Sequence, residues 1–222
     1  MRANAENGGM IKLYNYFRSS ASFRVRIALN LKGVAYESIP VHLLAGGGEQ
    51  SRPQFRDLNP MGLVPVLQQG AETVSQSLAI IEYLDELHPD PPLLGRSVGE
   101  RARIRSIALD VACEIHPLNN LRVLNYLVGE FEFDEAQKSR WYRHWAETGL
   151  VAIEAVVTRE PGAFCVGDTP TMADCCLVPQ VFNAMRFDCD LSRAPTVMSI
   201  HDRCVALDAF HRASPALQPD AA

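Results

Sequence analysis

No cysteine occurs in the first hundred residues, and the six that follow, Cys113, Cys165, Cys175, Cys176, Cys189 and Cys204, form no CxxC. A disulfide framework is not expected. A chain of 222 residues can bury a sizeable core without covalent staples. The adjacent pair Cys175-Cys176 lies in an apolar helical run and reads as core, where free cysteine tends to sit. The six histidines are scattered, without HExxH or a His/Cys cluster, so no metal site is expected.

Positive charge is also short. Lys and Arg number 21 against 26 Asp and Glu, for a net charge of -5. That balance argues against general nucleic-acid binding, which wants a basic surface. A few arginines can still set a local field for a small anion. No apolar run approaches the ~18–20 residues of a membrane span. The first nine residues, MRANAENGG, lack the apolar stretch of a signal peptide and read as a disordered lead. A cytoplasmic protein, without membrane or nucleic-acid partners, is expected.

What is present is ordinary in bulk and informative in order. Hydrophobic residues make up 47% and charged ones 21%, as in a folded domain or two. MIKLYNY (10–16) alternates like a strand, RVRIALNLKG follows as a helix stopped by Gly33, and VAYESIPVHL (34–43) reads as a second strand. AGGGEQSRP is a loop and PQFRDLN a short helix. LVPVL (63–67) and ETVS (72–75) form a β pair across Gln69-Gly70, and QSLAIIEYLDELHP (76–89) is an amphipathic helix ended by Pro89. Residues 10–89 thus read β-α-β-α-β-β-α. A proline inside the third strand cannot donate to a ladder, and a cis Val64-Pro65 bond would account for it. Residues 90–98 read as a proline-rich linker, and strand signals vanish beyond it. GERARIRSIALDVACEIHPLNNLRVLNYLV reads as one long helix kinked at Pro117. Helices over 134–160, 170–187 and 196–214 follow, so 99–222 is an all-helical domain. Thr171 and Asp174 stand in capping-box spacing, a structural device.

Three short constellations carry chemistry. Ser19-Ser20 opens the first helix, and hydroxyls with amides at a helix N-terminus stabilise a thiolate. Val64-Pro65 sits where a cis turn would leave a backbone edge for a peptide-like ligand. Gln76-Ser77 opens another helix, which suits a carboxylate. Taken singly, each reads as an ordinary turn or cap, since serine is a favoured cap. Their order within one small α/β domain is the specific signal.

The chain resembles the zeta class of glutathione transferases, which includes the maleylacetoacetate and maleylpyruvate isomerases. The resemblance runs from Met10 to about Asp220 and is carried by YFRSSASFRVRIALNLKG, LNPMGLVPVL, QSLAIIEYLDE, IHPLNNLRVL, VGDTPTMADCCLVPQVFNA and a late QPD. It implies a thioredoxin-like domain followed by an all-α domain, a homodimer, and reduced glutathione as cofactor. It implies that Ser19 and Ser20 hold the thiolate and that Gln50 reaches the glycine end. Val64 beside Pro65 would pair with the cysteinyl backbone, Gln76 and Ser77 would take the γ-glutamyl end, and His116 and Asn120 on the first long helix would close the site. Tyr14 and Tyr16 are packing or rim residues under this reading. The family often reads SSC where this chain has Ala21 in third place, so no alkylatable cysteine is expected at the site.

The implied reaction is cis–trans isomerisation of a keto dicarboxylate by reversible thiolate addition, most directly maleylacetoacetate to fumarylacetoacetate in homogentisate breakdown. Arg18, directly before the serines, is the first candidate for a substrate carboxylate. Arg186 and Arg122 follow by family position. Maleylpyruvate from gentisate breakdown is the alternative substrate, which Ala21 favours slightly because some maleylpyruvate isomerases also lack the cysteine. A general transferase or peroxidase acting on halogenated acids or hydroperoxides is a further reading. A non-enzymatic scaffold would show a degraded glutathione site, and these residues are all present.

Overall fold

The computed structural model describes residues 9–159 and 162–221. The expected disordered lead falls, but for Gly9, outside the described residues. The chain divides into two compact units. The first runs through Leu93 and takes in the chain from Asp208 onward, and the second is Leu94–Leu207. The tail therefore departs from the reading of 99–222 as one helical domain.

The first unit is built on β1 (Ile11–Asn15), α1 (Ser20–Leu31), β2 (Tyr36–Pro40), α2 (Pro53–Leu58), β3 (Val66–Gln69), β4 (Glu72–Ser75) and α3 (Ser77–Leu87). The strands lie in the order β2-β1-β3-β4. β1 and β2 are parallel, while β3 is antiparallel to both β1 and β4. Alternation along a strand sends successive side chains to opposite faces. Ile11, Leu13 and Leu67 are buried, as are Val25, Ile27 and Leu29 of α1 and Ile80, Ile81 and Leu84 of α3. α1 packs against α3. Val66 instead joins Tyr16, Phe17, Val41, Val64 and Phe55 of α2 in a second cluster.

Two details correct the sequence reading here. The third strand begins at Val66, not Leu63, because Pro65 has no N–H for a ladder and its bond to Val64 is cis. The loop after β2 holds two short tight turns, Ala45–Gly47 and Glu49–Ser51. At the far end of α1, Lys32 pairs with Asp85 of α3 at 2.6 Å, and the same carboxylate oxygen accepts Leu93 N–H at 2.7 Å. The proline-rich stretch is thereby held down rather than left as a free linker.

The second unit contains α4 (Val98–Leu109), α5 (Leu121–Phe131), α6 (Glu135–Val157), α7 (Met172–Arg186) and α8 (Pro195–Val205). The expected single helix kinked at Pro117 is broken. α4 widens into a π-helical stretch at Asp110–Ile115, tightens into a 3-10 turn at His116–Asn119, and gives way to α5. Proline cannot donate to the preceding turn, and Asn120 starts a fresh helix by accepting Arg122 N–H at 3.1 Å. The expected helix over 196–214 is also two, α8 and α9 (Asp208–Ala213), and α9 packs on α1 in the first unit. Cys175 and Cys176 are fully buried in α7.

Asp174 is fully buried at the start of α7, and burial pushes its carboxyl pKa up. Its oxygens accept the Thr171 N–H, the Thr171 hydroxyl and the Cys165 N–H, each at 2.8 Å. The capping box thus also ties the preceding loop to the helix. Asp174→Ala would strand three donors and is expected to cost on the order of 3–5 kcal/mol. Urea unfolding measures this, and a loss below ~1 kcal/mol would contradict it.

Candidate active site

The turn from β1 into α1 is set by one buried side chain. Arg26 is fully buried, and its guanidinium donates to Asn15 Oδ1 at 3.1 Å, to the Phe17 carbonyl at 2.9 Å and, from Nε, to the Ala213 carbonyl at 3.0 Å. Burial pulls its pKa down to about 10, while Tyr36 and Asp220 oppose that shift. Phe17 is gripped from the other side too, since its N–H donates to Asp220 Oδ2 at 3.0 Å. The late QPD motif therefore reaches back to the residue before Arg18.

This grip presents Arg18, Ser19 and Ser20. Arg18 is exposed, with its guanidinium 4.8 Å from the Phe17 ring centroid. Ser19 is the N-cap of α1, half-buried, and its Oγ accepts Ser22 N–H at 3.2 Å. One lone pair is thus used, and the hydroxyl proton is left to donate. Helix geometry gives the Ala21 amide no intrahelical acceptor. Ser20 itself is buried as the first helical residue.

Three other segments of the first unit carry the remaining glutathione candidates. The β1 register reaches β3 only as far as Tyr14↔Val66, so Val64 lies outside the ladder. Its turn is fixed by buried Asn59, whose side chain donates to the Leu63 carbonyl at 2.7 Å and accepts Met61 N–H at 3.1 Å. Gln50 donates to the Leu43 carbonyl at 3.3 Å, and its Oε1 is buried with no hydrogen-bond partner among the described residues. His42 and Glu49 steady the loop that carries it, with His42 N–H to Glu49 Oε2 at 2.8 Å and Glu49 N–H to the His42 carbonyl at 2.8 Å. At Gly62 a Cβ would stand 3.0 Å from the Gln50 carbonyl oxygen, which brings that loop against the Val64 turn. Tyr16, Phe17 and Val64 share one buried cluster, with Leu43 from the loop before Gln50 packed on it.

Gln76 and Ser77 form the head of α3. Gln76 holds φ 72° and ψ 118° and makes no side-chain cap bond, so the first amides of α3 are not capped by it. Ser77 is buried and its Oγ accepts Arg24 Nη1 at 3.2 Å.

The other candidates belong to the second unit. His116 begins the tight turn and Asn120 caps α5, so neither lies on a long helix as expected. Arg122 is the exposed second residue of α5. Arg186 is exposed at the end of α7, 4.9 Å from the Phe187 ring centroid.

Sequence reasoning gave no site role to Arg24, Arg26, Asp220, Asn59 or His42. A signal existed for the first two. Arg24 and Arg26, two apart among Phe23, Val25 and Ile27, fall on nearly opposite faces of a helix, so both cannot face solvent and a buried one needs partners.

A family model described as glutathione S-transferase, N-terminal domain, matches residues 13–92. The probable maleylacetoacetate isomerase of Vibrio cholerae is 51% identical, covering 94% of this chain and 97% of that one. A solved maleylpyruvate isomerase, described as a zeta-class bacterial glutathione transferase, is 49% identical with a TM-score of 0.91, covering 95% of this chain and 100% of that one. The maleylacetoacetate isomerase of Methylobacterium extorquens AM1, solved with bound malonate and glutathione, is 42% identical with a TM-score of 0.91, covering 95% and 99%.

The backbone of Gln76 tests whether this head of α3 is held for ligand or for stability. A positive φ costs a non-glycine residue ~1–3 kcal/mol, while glycine adds ~0.5–1 kcal/mol of unfolded-state entropy. Gln76→Gly should therefore stabilise the protein by about 1 kcal/mol in urea unfolding while weakening glutathione binding. A destabilised variant would mean that the Gln76 side chain supports the fold.

Proposed function

We propose, because this chain belongs to the zeta class of the glutathione transferase family, that it is a glutathione-dependent cis–trans isomerase of a maleyl-type keto dicarboxylate, with maleylacetoacetate as first substrate. The observation that carries the reading is the head of α1, where the half-buried Ser19 hydroxyl accepts Ser22 N–H and keeps its own proton to donate.

The residues of the first unit fit glutathione. Val64, outside the ladder, offers peptide groups to the cysteinyl backbone. The buried Oε1 of Gln50 is an acceptor that a glycyl N–H would satisfy. The uncapped start of α3, with Ser77, suits the γ-glutamyl carboxylate. Bound glutathione would supply a thiolate for reversible addition to the cis double bond, and Ser19 and the head of α1 would hold its sulfur. Ser19, with the first amides of α1, holds the thiolate charge before addition and after release. Ser20 supports that turn from inside the helix. Arg18 pairs with one substrate carboxylate, for which a guanidinium fork is suited. Arg122 and Arg186 are the candidates for the other. Asn120 spends its Oδ1 on the Arg122 amide and keeps its Nδ2 to donate, and His116 stands beside it on the same turn. The Methylobacterium relative, solved with both malonate and glutathione bound, supports a site for dicarboxylates.

Ala21 favours a second reading, maleylpyruvate as substrate, since the cysteine often found there is missing. A homodimer in the cytoplasm is part of the proposal. The commonest assembly of such chains is twofold, and the cytoplasm keeps glutathione reduced. Sedimentation at the mass of one 24.6 kDa chain at micromolar concentration would count against the dimer.

Both substrates assayed side by side, with glutathione measured before and after, test the reading. Isomerisation that requires glutathione without consuming it is expected, and stoichiometric consumption would favour a conjugating transferase. Ser19→Ala should lower the rate about ten- to a hundred-fold with glutathione affinity nearly unchanged, as the loss of one charge-assisted hydrogen bond implies. An unchanged rate would move the thiol role to Ser20.

Arg18→Met separates substrate recognition from the thiol chemistry. The Michaelis constant for the dicarboxylate should rise at least ten-fold, because a carboxylate loses its partner. Conjugation of a neutral chloronitrobenzene should stay within about two-fold, since no step of it uses the carboxylate pairing. Parallel losses on both substrates would assign Arg18 to the fold or to glutathione.

A further inference from the structure

Arg24 is the fifth residue of α1 and is 2% exposed. Its Nη1 crosses to α3 and donates to Ser77 Oγ at 3.2 Å. A hydroxyl has two acceptor sites and one proton. With an acceptor site taken by a cation, the Ser77 proton is free to serve a ligand, and the hydroxyl is polarised as a donor. The head of α3 is left uncapped by Gln76, so its first amides and this hydroxyl are offered together.

We propose that Arg24 is a positioning residue for the α-carboxylate at the γ-glutamyl end of glutathione. It acts through Ser77, fixing the hydroxyl as donor and placing a buried positive charge one residue behind it. This rests on the reading that Ser77 receives that carboxylate. A carboxylate on Ser77 would lie about two hydrogen-bond lengths from the guanidinium, roughly 6 Å, and at that range in a protein interior the attraction is worth about ten- to a hundred-fold in affinity. The charge of α1 therefore contributes to a site at the start of α3 without touching the ligand.

The experiment is calorimetric binding of two ligands, glutathione and 4-aminobutyryl-cysteinyl-glycine. The second differs only by lacking the α-carboxylate. Arg24→Gln keeps a donor and removes the charge, while Arg24→Lys keeps the charge, so both retain a polar group in the buried position. Arg24→Gln should weaken glutathione about ten-fold or more, leave the analogue within about two-fold, and so erase most of the preference for glutathione. Arg24→Lys should keep most of that preference. Equal weakening of both ligands in Arg24→Gln, or the same preference in the Gln and Lys variants, would overturn the proposal and leave Arg24 a packing residue. Ser77→Ala separates the two layers of the argument. If it leaves the wild-type preference intact, the assignment of Ser77 to the γ-glutamyl end is wrong. If it removes the preference while Arg24→Gln does not, that assignment stands and the role of Arg24 falls. Should Arg24→Gln show no cooperative thermal transition, the comparison passes to Arg24→Lys against Ser77→Ala. The Lys variant then has to keep the preference that the Ala variant loses, and losing it equally would overturn the role of charge.

Discussion

The buried guanidinium of Arg26 is the interaction on which the site depends. It ties Asn15 at the end of β1, the Phe17 carbonyl in the turn and the Ala213 carbonyl of the tail into one set of hydrogen bonds. Removing a cation from water is costly unless its donors are met. Here they are met by the Asn15 side chain and by carbonyls of the turn that delivers Ser19 and of the tail. The constraint works in both directions, because the turn satisfies the arginine and the arginine fixes the turn. Asp220 completes it by taking the Phe17 N–H, so the last residues described belong functionally to the first helix.

The same economy recurs around the first unit. Asn59 spends its side chain on the loop before Val64, and on the loop that bears Gln50, Glu49 accepts His42 N–H while His42 Nδ1 accepts the Leu44 and Ala45 N–H groups. None of these side chains needs to meet a ligand. On the proposed reading they hold backbone segments whose own groups would be the recognition elements, which is how a peptide cofactor can be read with few side chains. The two helix starts would then divide the work, with α1 proposed for the thiolate and α3 for the carboxylate.

Much of this was legible in the sequence. Alternation in MIKLYNY, the ETVS strand and the stop at Gly33 place β1, β4 and the end of α1 correctly, and the proline in VPVL pointed to the cis bond. The long helix through Pro117 was misread because periodicity does not register a π-helical stretch, and IHPLNN carries apolar residues at helical spacing across a real break. The return of α9 to the first unit leaves no local mark either. It depends on hydrogen bonds from Arg26 and Asn30 to carbonyls nearly the whole chain away. The positioning residues were missed for a related reason, since a motif such as QPD names its residues but not the backbone groups they hold.

The central claim is that the start of α1 makes a thiolate. Its most direct test is an ultraviolet titration of the thiolate absorbance of glutathione bound to the wild-type protein. The account predicts a thiol that titrates well below the ~8.5 of an unperturbed cysteine. A bound thiol that titrates at or above that value would contradict it.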